Sequence, residues 1–423
     1  MDLTTIAQDV LGYVSAEGIE LSQDINEAEA AVQEQMRRIG SRVLEIHLAQ
    51  QKLGYEGSSR ACTCGRTQRF VQHRPKQIAT LLGPVTVRRA YYHCPACGAS
   101  CLPYDDQTGL GGTPVSAGLA KAATLLAVHE PFETAAKMLY ALTGQRLCER
   151  TVERLTHAVG TVAAAQESAE AEGMQDWKAP EAEARPKRLY IAVDGVMVGH
   201  RDGFHEAKTA VCYWEEPDGR RVAKYAVRFE SAEMFASFAW ALACRCGLMH
   251  AEEVVLLGDG AQWIWDRIGG VLDGATHIVD WYHAMEHVWA CGRDLYGEGG
   301  SETETWVKEI ESLLWDGNVR AILSRLRDER AQARSPTKRK ALESLTTYLT
   351  NQDDRLAYDR FRDRGLDIGS GRVEGACKSV VGTRMKRSGM RWSARGAQAT
   401  LSLRVAWLNG TWDRLWASHP LAA

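Results

Sequence analysis

The chain has 423 residues, 45% of them hydrophobic and 25% charged, which is the mix of a globular protein of two or three domains and excludes a disordered or fibrous one. No run of about 18 apolar residues occurs, and the N-terminus has no basic stretch followed by an apolar one. Neither a membrane span nor a secretory signal is therefore expected, and a cytoplasmic location is. The formal net charge of −3 excludes a uniformly basic nucleic-acid binder, so such a partner would have to be met by local patches.

Residues 1–58 are rich in Ala, Glu, Gln and Leu. Ala28, Ala31 and Val32, then Val43, Leu44, Ile46 and Leu48, recur as in amphipathic helices, which predicts a helical N-terminal arm. From 59 to 106 the pattern changes to short strands and cysteine turns. "QIATLL" and "GPVTVRRAYYHC" predict a hairpin punctuated at Gly83-Pro84. Between Arg60 and Tyr104 lie seven basic residues (Arg60, Arg66, Arg69, Arg74, Lys76, Arg88, Arg89) and no acid.

Eleven cysteines without an export signal argue for metal ligands over a disulfide framework. Cys62 and Cys64 in "CTCG" and Cys94 and Cys97 in "CPACG" form two knuckles a hairpin apart, as in a zinc ribbon whose four thiolates hold a structural Zn²⁺. The first knuckle has one residue between its cysteines instead of two, so Cys101 is a candidate replacement ligand. A metal-free hairpin with packed thiols is the alternative. The basic face of this module would contact DNA phosphates.

Residues 107–166 read as helical. Ala135, Met138, Leu139 and Leu142 share one face, the chain turns at Gly144, and Val152, Leu155 and Val159 follow a restart near Glu149. This is the layout of a helix-turn-helix, or of a helical hairpin in a larger bundle. Residues 167–187, acidic and interrupted by Pro180 and Pro186, read as a linker. Residues 188–292 then give three strands ("RLYIAVDGVMVG", "EAKTAVCYW", "RVAKYAVRF"), a helix, the strand "EEVVLLGDG", a helix over "AQWIWDRIGGVL" and a last strand, "ATHIVDWYHA". That order is α/β, with the first three strands antiparallel. Residues 293–366 are charged and helix-periodic (Trp306, Ile310, Leu313, Leu314; Leu342, Leu345, Leu349), an all-helical insertion, and 367–423 close the domain with further helices.

"YIAVDG" and "LLGDG" are one construction used twice, an apolar strand delivering Asp194 or Asp259 to a glycine. Each Asp is a turn residue or part of a site. In a site, the strand fixes the carboxylate and the glycine leaves room for a ligand. Glu374 is the third acid. Val373, Ala376, Cys377, Val380 and Val381 form a buried helix stripe beside it, with Ser370 as N-cap, and it is the sole acid among seven basic residues from Arg372 to Arg395. Three carboxylates on rigid elements, flanked by Arg and Lys, suit the holding of two Mg²⁺ or Mn²⁺ ions against a phosphodiester.

"IAVDG", "LLGDGAQWIW", "VDWYHAMEHV" and "IGSGRVEGACKSVVGTRMKRSGMRW" together resemble the motifs of bacterial insertion-sequence transposases of the DDE type, related to the Mutator-like group. The resemblance covers nearly the whole chain, "YHCPACG" included. It implies an RNase H-like mixed sheet with an all-helical insertion, preceded by a zinc-ribbon-like module and a helix-turn-helix. It also implies Asp194, Asp259 and Glu374 as the catalytic metal-binding triad. "DWYH" would supply an accessory Asp280 and His283, close enough to orient each other or bind phosphate, a structural His being the alternative; His287 reads as helix surface. Arg372, Lys378, Arg384, Lys386, Arg387 and Arg391 would hold the DNA backbone. The expected partners are double-stranded DNA, as element ends and target, and a second copy of the chain, because two ends must be joined. An RNase H-fold nuclease without joining activity, or a silent DNA-binding protein, are the rival readings.

Overall fold

The computed structural model describes residues 2–18, 22–272, 274–369, 371–418 and 421. The chain divides into two compact units, residues 1–159 with 414–423, and residues 160–413.

In the first unit, helices Leu3–Ala16 and Ile25–Ala49 begin at Asp2 and Asp24, whose carboxylates accept backbone N–H bonds of the first turn. They precede a four-stranded antiparallel sheet of β1 (Ser59–Ala61), β2 (Thr67–Thr80), β3 (Gly83–His93) and β4 (Ser100–Cys101), in that order. β2 and β3 are the predicted hairpin, extended well beyond "QIATLL". Its turn closes on Gly83 in the left-handed region, and alternate residues of β3 are buried against Leu53, Ile78 and Leu110. The helices Ala117–Ala127, Phe132–Thr143 and Glu149–Glu172 follow, with a left-handed Gly144 capping the second. Of the apolar face read on the second helix, Ala135 and Leu139 are buried while Leu142 is exposed.

The second unit is built on a mixed sheet in the order β7-β6-β5-β8-β9, where β5 is Arg188–His200, β6 Gly203–Glu215, β7 Arg221–Arg228, β8 Glu253–Gly258 and β9 Thr276–Val279. β5, β6 and β7 are antiparallel neighbours, and β5–β8 and β8–β9 are parallel. This is a mixed α/β architecture. Ile191, Val193, Leu256 and Leu257 have no exposed surface, as strands covered on both faces require. Helix Ala232–Arg245 packs on β6 and β7 through Phe235 and neighbouring apolar residues. After β9 come only helices, Trp281–Tyr296, Ser301–Trp315, Val319–Gln332, Pro336–Asn351 and Tyr358–Asp363, so the all-helical segment starts about a dozen residues earlier than the periodicity suggested. No described helix is long and apolar enough to cross a membrane.

The segment read as a linker from residue 167 is a correction. Residues through Glu172 continue the helix that starts at Glu149, because their acids have partners distant in sequence. Arg228, at the end of β7, donates to Glu167 Oε2 at 2.8 Å, and Ser402 Oγ donates to the same oxygen at 2.7 Å. Arg245 pairs with Glu170 at 3.1 Å. This segment, residues 167–172 of the second unit, looks solvated in isolation but is held by charge-assisted bonds within that unit. Replacing Arg228 with Ala should cost about 2–3 kcal/mol, since it strands a largely buried carboxylate. Urea unfolding of the variant beside wild type measures this, and an unchanged midpoint would show the pair to be a surface ornament.

Candidate functional site

β5 and β8 run parallel with Val193 opposite Gly258, so Asp194 and Asp259 are the next residues on neighbouring strands, at the point where β8 stops. Neighbouring strands lie about 4.8 Å apart, which forces two like charges together. Gly195 N–H donates to Asp194 Oδ1 at 2.7 Å and Ala261 N–H to Asp259 Oδ1 at 2.9 Å, so backbone amides fix both carboxylates. Burial first, and then the charges of Asp259 and Glu374, hold the Asp194 carboxyl above the usual range, against the opposing bonds from Gly195 and Cys377.

Glu374 is carried by helix Gly371–Ala376, which packs on β5 and β6 and buries the predicted stripe of Val373, Ala376, Cys377, Val380 and Val381. Its carboxylate stays half exposed beside that stripe, 3.9 Å from Lys378 Nζ. The Ser370 cap lies outside the described residues. From Cys377 to Gly382 the helix widens to π geometry, and a second π segment, Ile264–Ile268, follows Asp259. Such single wide turns re-aim the side chains around them. Cys377, read from sequence only as core, donates its Sγ to Asp194 Oδ2 at 3.5 Å, and burial together with the Asp194 charge pushes its thiol up to about 12. Asp194, Glu374, Cys377, Lys378 and Lys386 line an open groove of about 490 Å³.

Asp194 is the member coupled to both other carboxylates, while among the described residues the three do not gather with their oxygens all within 4.8 Å. This donor set is anionic oxygen and suits hard divalent cations of the Mg²⁺ or Mn²⁺ kind. Asp194, Asp259 and Glu374 are the residues that would hold them.

The glycines also make room within the protein, and Gly195 lines the groove besides. A Cβ on Gly195 would lie 2.1 Å from Glu206 Oε1, so the space belongs to a side chain of β6, and Glu206 in turn pairs with Lys208 at 2.8 Å. Gly260, at φ +92°, is left-handed, and a Cβ there would press on Tyr348. Gln352 Nε2 donates to Gly260 O at 2.9 Å. The helical segment therefore reaches back through Tyr348 and Gln352 to hold the turn after Asp259, a pairing across some ninety residues with no local signal. His287, expected on the surface, is half-buried and stacked on Tyr348 with ring centroids 3.9 Å apart.

Asp280 is an N-cap. Its carboxylate accepts the backbone N–H of His283 at 2.6 Å, while the His283 ring turns to Glu286 at 3.4 Å. Asp280 N–H donates to Gly258 O at 2.8 Å, which ties the cap to the end of β8.

Of the expected phosphate contacts, Lys378, Lys386, Arg387 and Arg391 are exposed. Arg372 lies with its guanidinium 4.6 Å from the Tyr213 ring. Arg384 is a correction: it has no exposed surface and sits over Trp392, because its place on the helix faces inward. A similar correction applies in the first unit. Asp105, one residue past the acid-free stretch, is buried and takes both Arg89 and, at 3.2 Å, Lys76. Arg66, Arg69, Arg74 and Arg88 remain exposed.

The sulfurs of Cys62, Cys64, Cys94 and Cys97 all lie within 4.8 Å of one another, with Cys62–Cys97 at 3.6 Å and Cys64–Cys94 at 3.8 Å. A tetrahedral Zn²⁺ with bonds of 2.3 Å spaces its sulfurs by about 3.8 Å, so these four fit zinc despite the short first knuckle. Cys101 is not among them; its sulfur meets Arg60 at 3.1 Å and Asp106 at 3.4 Å.

The family described as "Uncharacterised protein family (UPF0236)" matches residues 17–417. A relative from Streptococcus gallolyticus, described as "UPF0236 protein in vanSb 3'region", is 24% identical over 351 residues, which cover 80% of this chain and 74% of the relative.

Two outcomes are expected. A carboxyl with a folded pKa above its unfolded 3.8 holds its proton longer when folded. The cation-free protein therefore loses stability as pH rises from 3.8 through that raised value. At neutral pH Asp194→Asn should raise the thermal midpoint by about 2–4 °C. It should also abolish the further rise that Mg²⁺ produces in wild type; a Mg²⁺ response that survives the substitution would remove Asp194 from the cation set. For the cysteines, maleimide labelling of Cys62, Cys64, Cys94 and Cys97 should be slow in freshly purified protein and fast after chelation. Equal rates before and after would rule out zinc there.

Proposed function

Since the chain belongs to the uncharacterised protein family UPF0236, whose description carries no activity, we propose from the site itself that the protein is a metal-dependent DNA transposase. It would bind the ends of a mobile element, cut there, and join the freed ends to target DNA. The observation that carries this reading is the parallel register that makes Asp194 and Asp259 neighbours, with the Glu374 helix packed on β5 and β6 beside them. A sheet of three antiparallel strands continued by two parallel ones, its acids at adjacent central strands and an all-helical segment between the second and third acid, supports the RNase H-like reading.

Divalent cations held by Asp194, Asp259 and Glu374 would activate the attacking oxygen and stabilise the leaving one. The chain's residues do the rest. Lys378 and Lys386 line the groove beside Glu374 and would hold the phosphate backbone, with Arg387 and Arg391 exposed further along. In the first step water attacks phosphorus and the bond to the 3′ oxygen breaks, leaving a 3′-hydroxyl. In the second that hydroxyl attacks a target phosphodiester, forms the new P–O bond and releases a target 3′-hydroxyl. Both are in-line displacements on one geometry, so one set of carboxylates serves both. Zinc held by the four cysteines would be structural, since four protein ligands leave no open position. The exposed arginines of the hairpin and the helix from Glu149 supply the surface for end recognition.

Asp259→Asn should abolish both cutting and joining of a labelled duplex carrying the element end, with duplex binding in a gel-shift assay unchanged. Wild type that nicks the duplex without giving joined product would instead be a nuclease. Wild type that binds but never cuts with Mg²⁺ or Mn²⁺ would be a silent DNA-binding protein.

A further inference from the structure

The tip of the β5–β6 hairpin carries a cluster that the proposed DNA chemistry does not use. His200 ends β5, Asp202 lies in the turn, and His205 follows near the start of β6. One ligand atom from each lies within 4.8 Å of the other two. His205 Nε2 is 3.1 Å from Asp202 Oδ1, and the two imidazoles stack with centroids 4.5 Å apart.

His200 is the informative member. It is 1% exposed, and neither of its ring nitrogens has a hydrogen-bond partner. Packing against Phe229 and His205 accounts for the burial of the ring but not for two unsatisfied nitrogens, and buried polar atoms ordinarily find a partner. We infer that His200, Asp202 and His205 form a binding site for a zinc-class divalent cation at this hairpin tip. Two imidazoles and one carboxylate are the donors that borderline cations select, in contrast to the all-oxygen set at Asp194. Tetrahedral zinc would space these ligand atoms by about 3.3 Å, within reach of small rotations from the present positions. Three protein ligands leave a position for water.

The scaffold is firm enough to present such a site. Arg201 N–H donates to Trp392 O at 2.9 Å and Trp392 N–H to Gly199 O at 3.2 Å, so the tip is tied to the chain that follows the Glu374 helix. Nearby, the guanidinium of Arg391 lies 5.1 Å from the centre of the Phe204 ring. A cation here would pin the exposed turn at Arg201 from both strands.

Because the cysteine cluster also fits zinc, the test separates the two. The full-length chain is stripped with a chelator, dialysed against micromolar ZnCl₂ and assayed for zinc, in parallel with His205→Ala, Asp202→Asn and Cys97→Ser. His205 and Asp202 are exposed at the turn, so these variants fold, which circular dichroism verifies. Wild type should hold one equivalent more than His205→Ala and Asp202→Asn, and Cys97→Ser should retain that equivalent. Zinc should slow tryptic cleavage after Arg201 in wild type and Cys97→Ser but not in His205→Ala. Equal zinc content in wild type and both hairpin variants, or no protection of Arg201, would overturn the site whatever the fate of the DNA chemistry.

Discussion

The pairing of β5 with β8 is the constraint from which the second unit follows. The observed register buries Ile191, Val193, Leu256 and Leu257 completely, and in it Asp194 and Asp259 emerge side by side. Hydrophobic burial of the strands thus holds together two groups that repel. The price is visible at Asp194, whose ionised form is disfavoured by burial and by both other acids. A site destabilised by its own charges, and relieved by cations, is a common way for function to be stored in a fold.

The surroundings limit that repulsion without cancelling it. Backbone N–H groups of Gly195 and Ala261 meet one oxygen of each Asp and leave the other available. Cys377, brought over by the wide turn in its helix, offers a weak donor to the second oxygen of Asp194. Gln352 and Tyr348 fix the turn after Asp259 from the helical segment, so that segment acts on the site by positioning. The Asp280 cap, tied to Gly258, closes the same end of β8. Each restraint comes from a different part of the chain, and rigid supports of this kind keep acids aimed at a ligand.

How much of this was legible in the sequence follows from the range of each interaction. Strand alternation, the paired Asp-Gly endings and the lone Glu374 in a basic helix are local patterns, and the elements lie where those patterns indicated. The hairpin and the four cysteines were legible for the same reason, although the short first knuckle made Cys101 a rival until its sulfur was seen against Arg60 and Asp106. Pairings between distant residues were not legible. Composition called residues 167–172 a linker because it could not know of Arg228 and Ser402. Counting charge between Arg60 and Tyr104 overstated the basic face, since a single buried Asp105 just beyond the window engages two of its cations. Arg384 misled because a charge on a helix carries no label for the side it faces, and here the inward side won.

The two units therefore answer to different physical rules. The small sheet of the first unit packs on a short apolar cluster, and beside it four sulfurs lie at a spacing that matches tetrahedral zinc. The second unit has an extensive apolar core, and at its edge the charges of Asp259 and Glu374 disfavour the ionised form of Asp194. On the reading proposed above, chelation would act on the first by removing a zinc held by the four cysteines and on the second by restoring repulsion at an intact sheet. A loss of structure and a loss of charge compensation are distinct events, and in this chain they would fall on different residues.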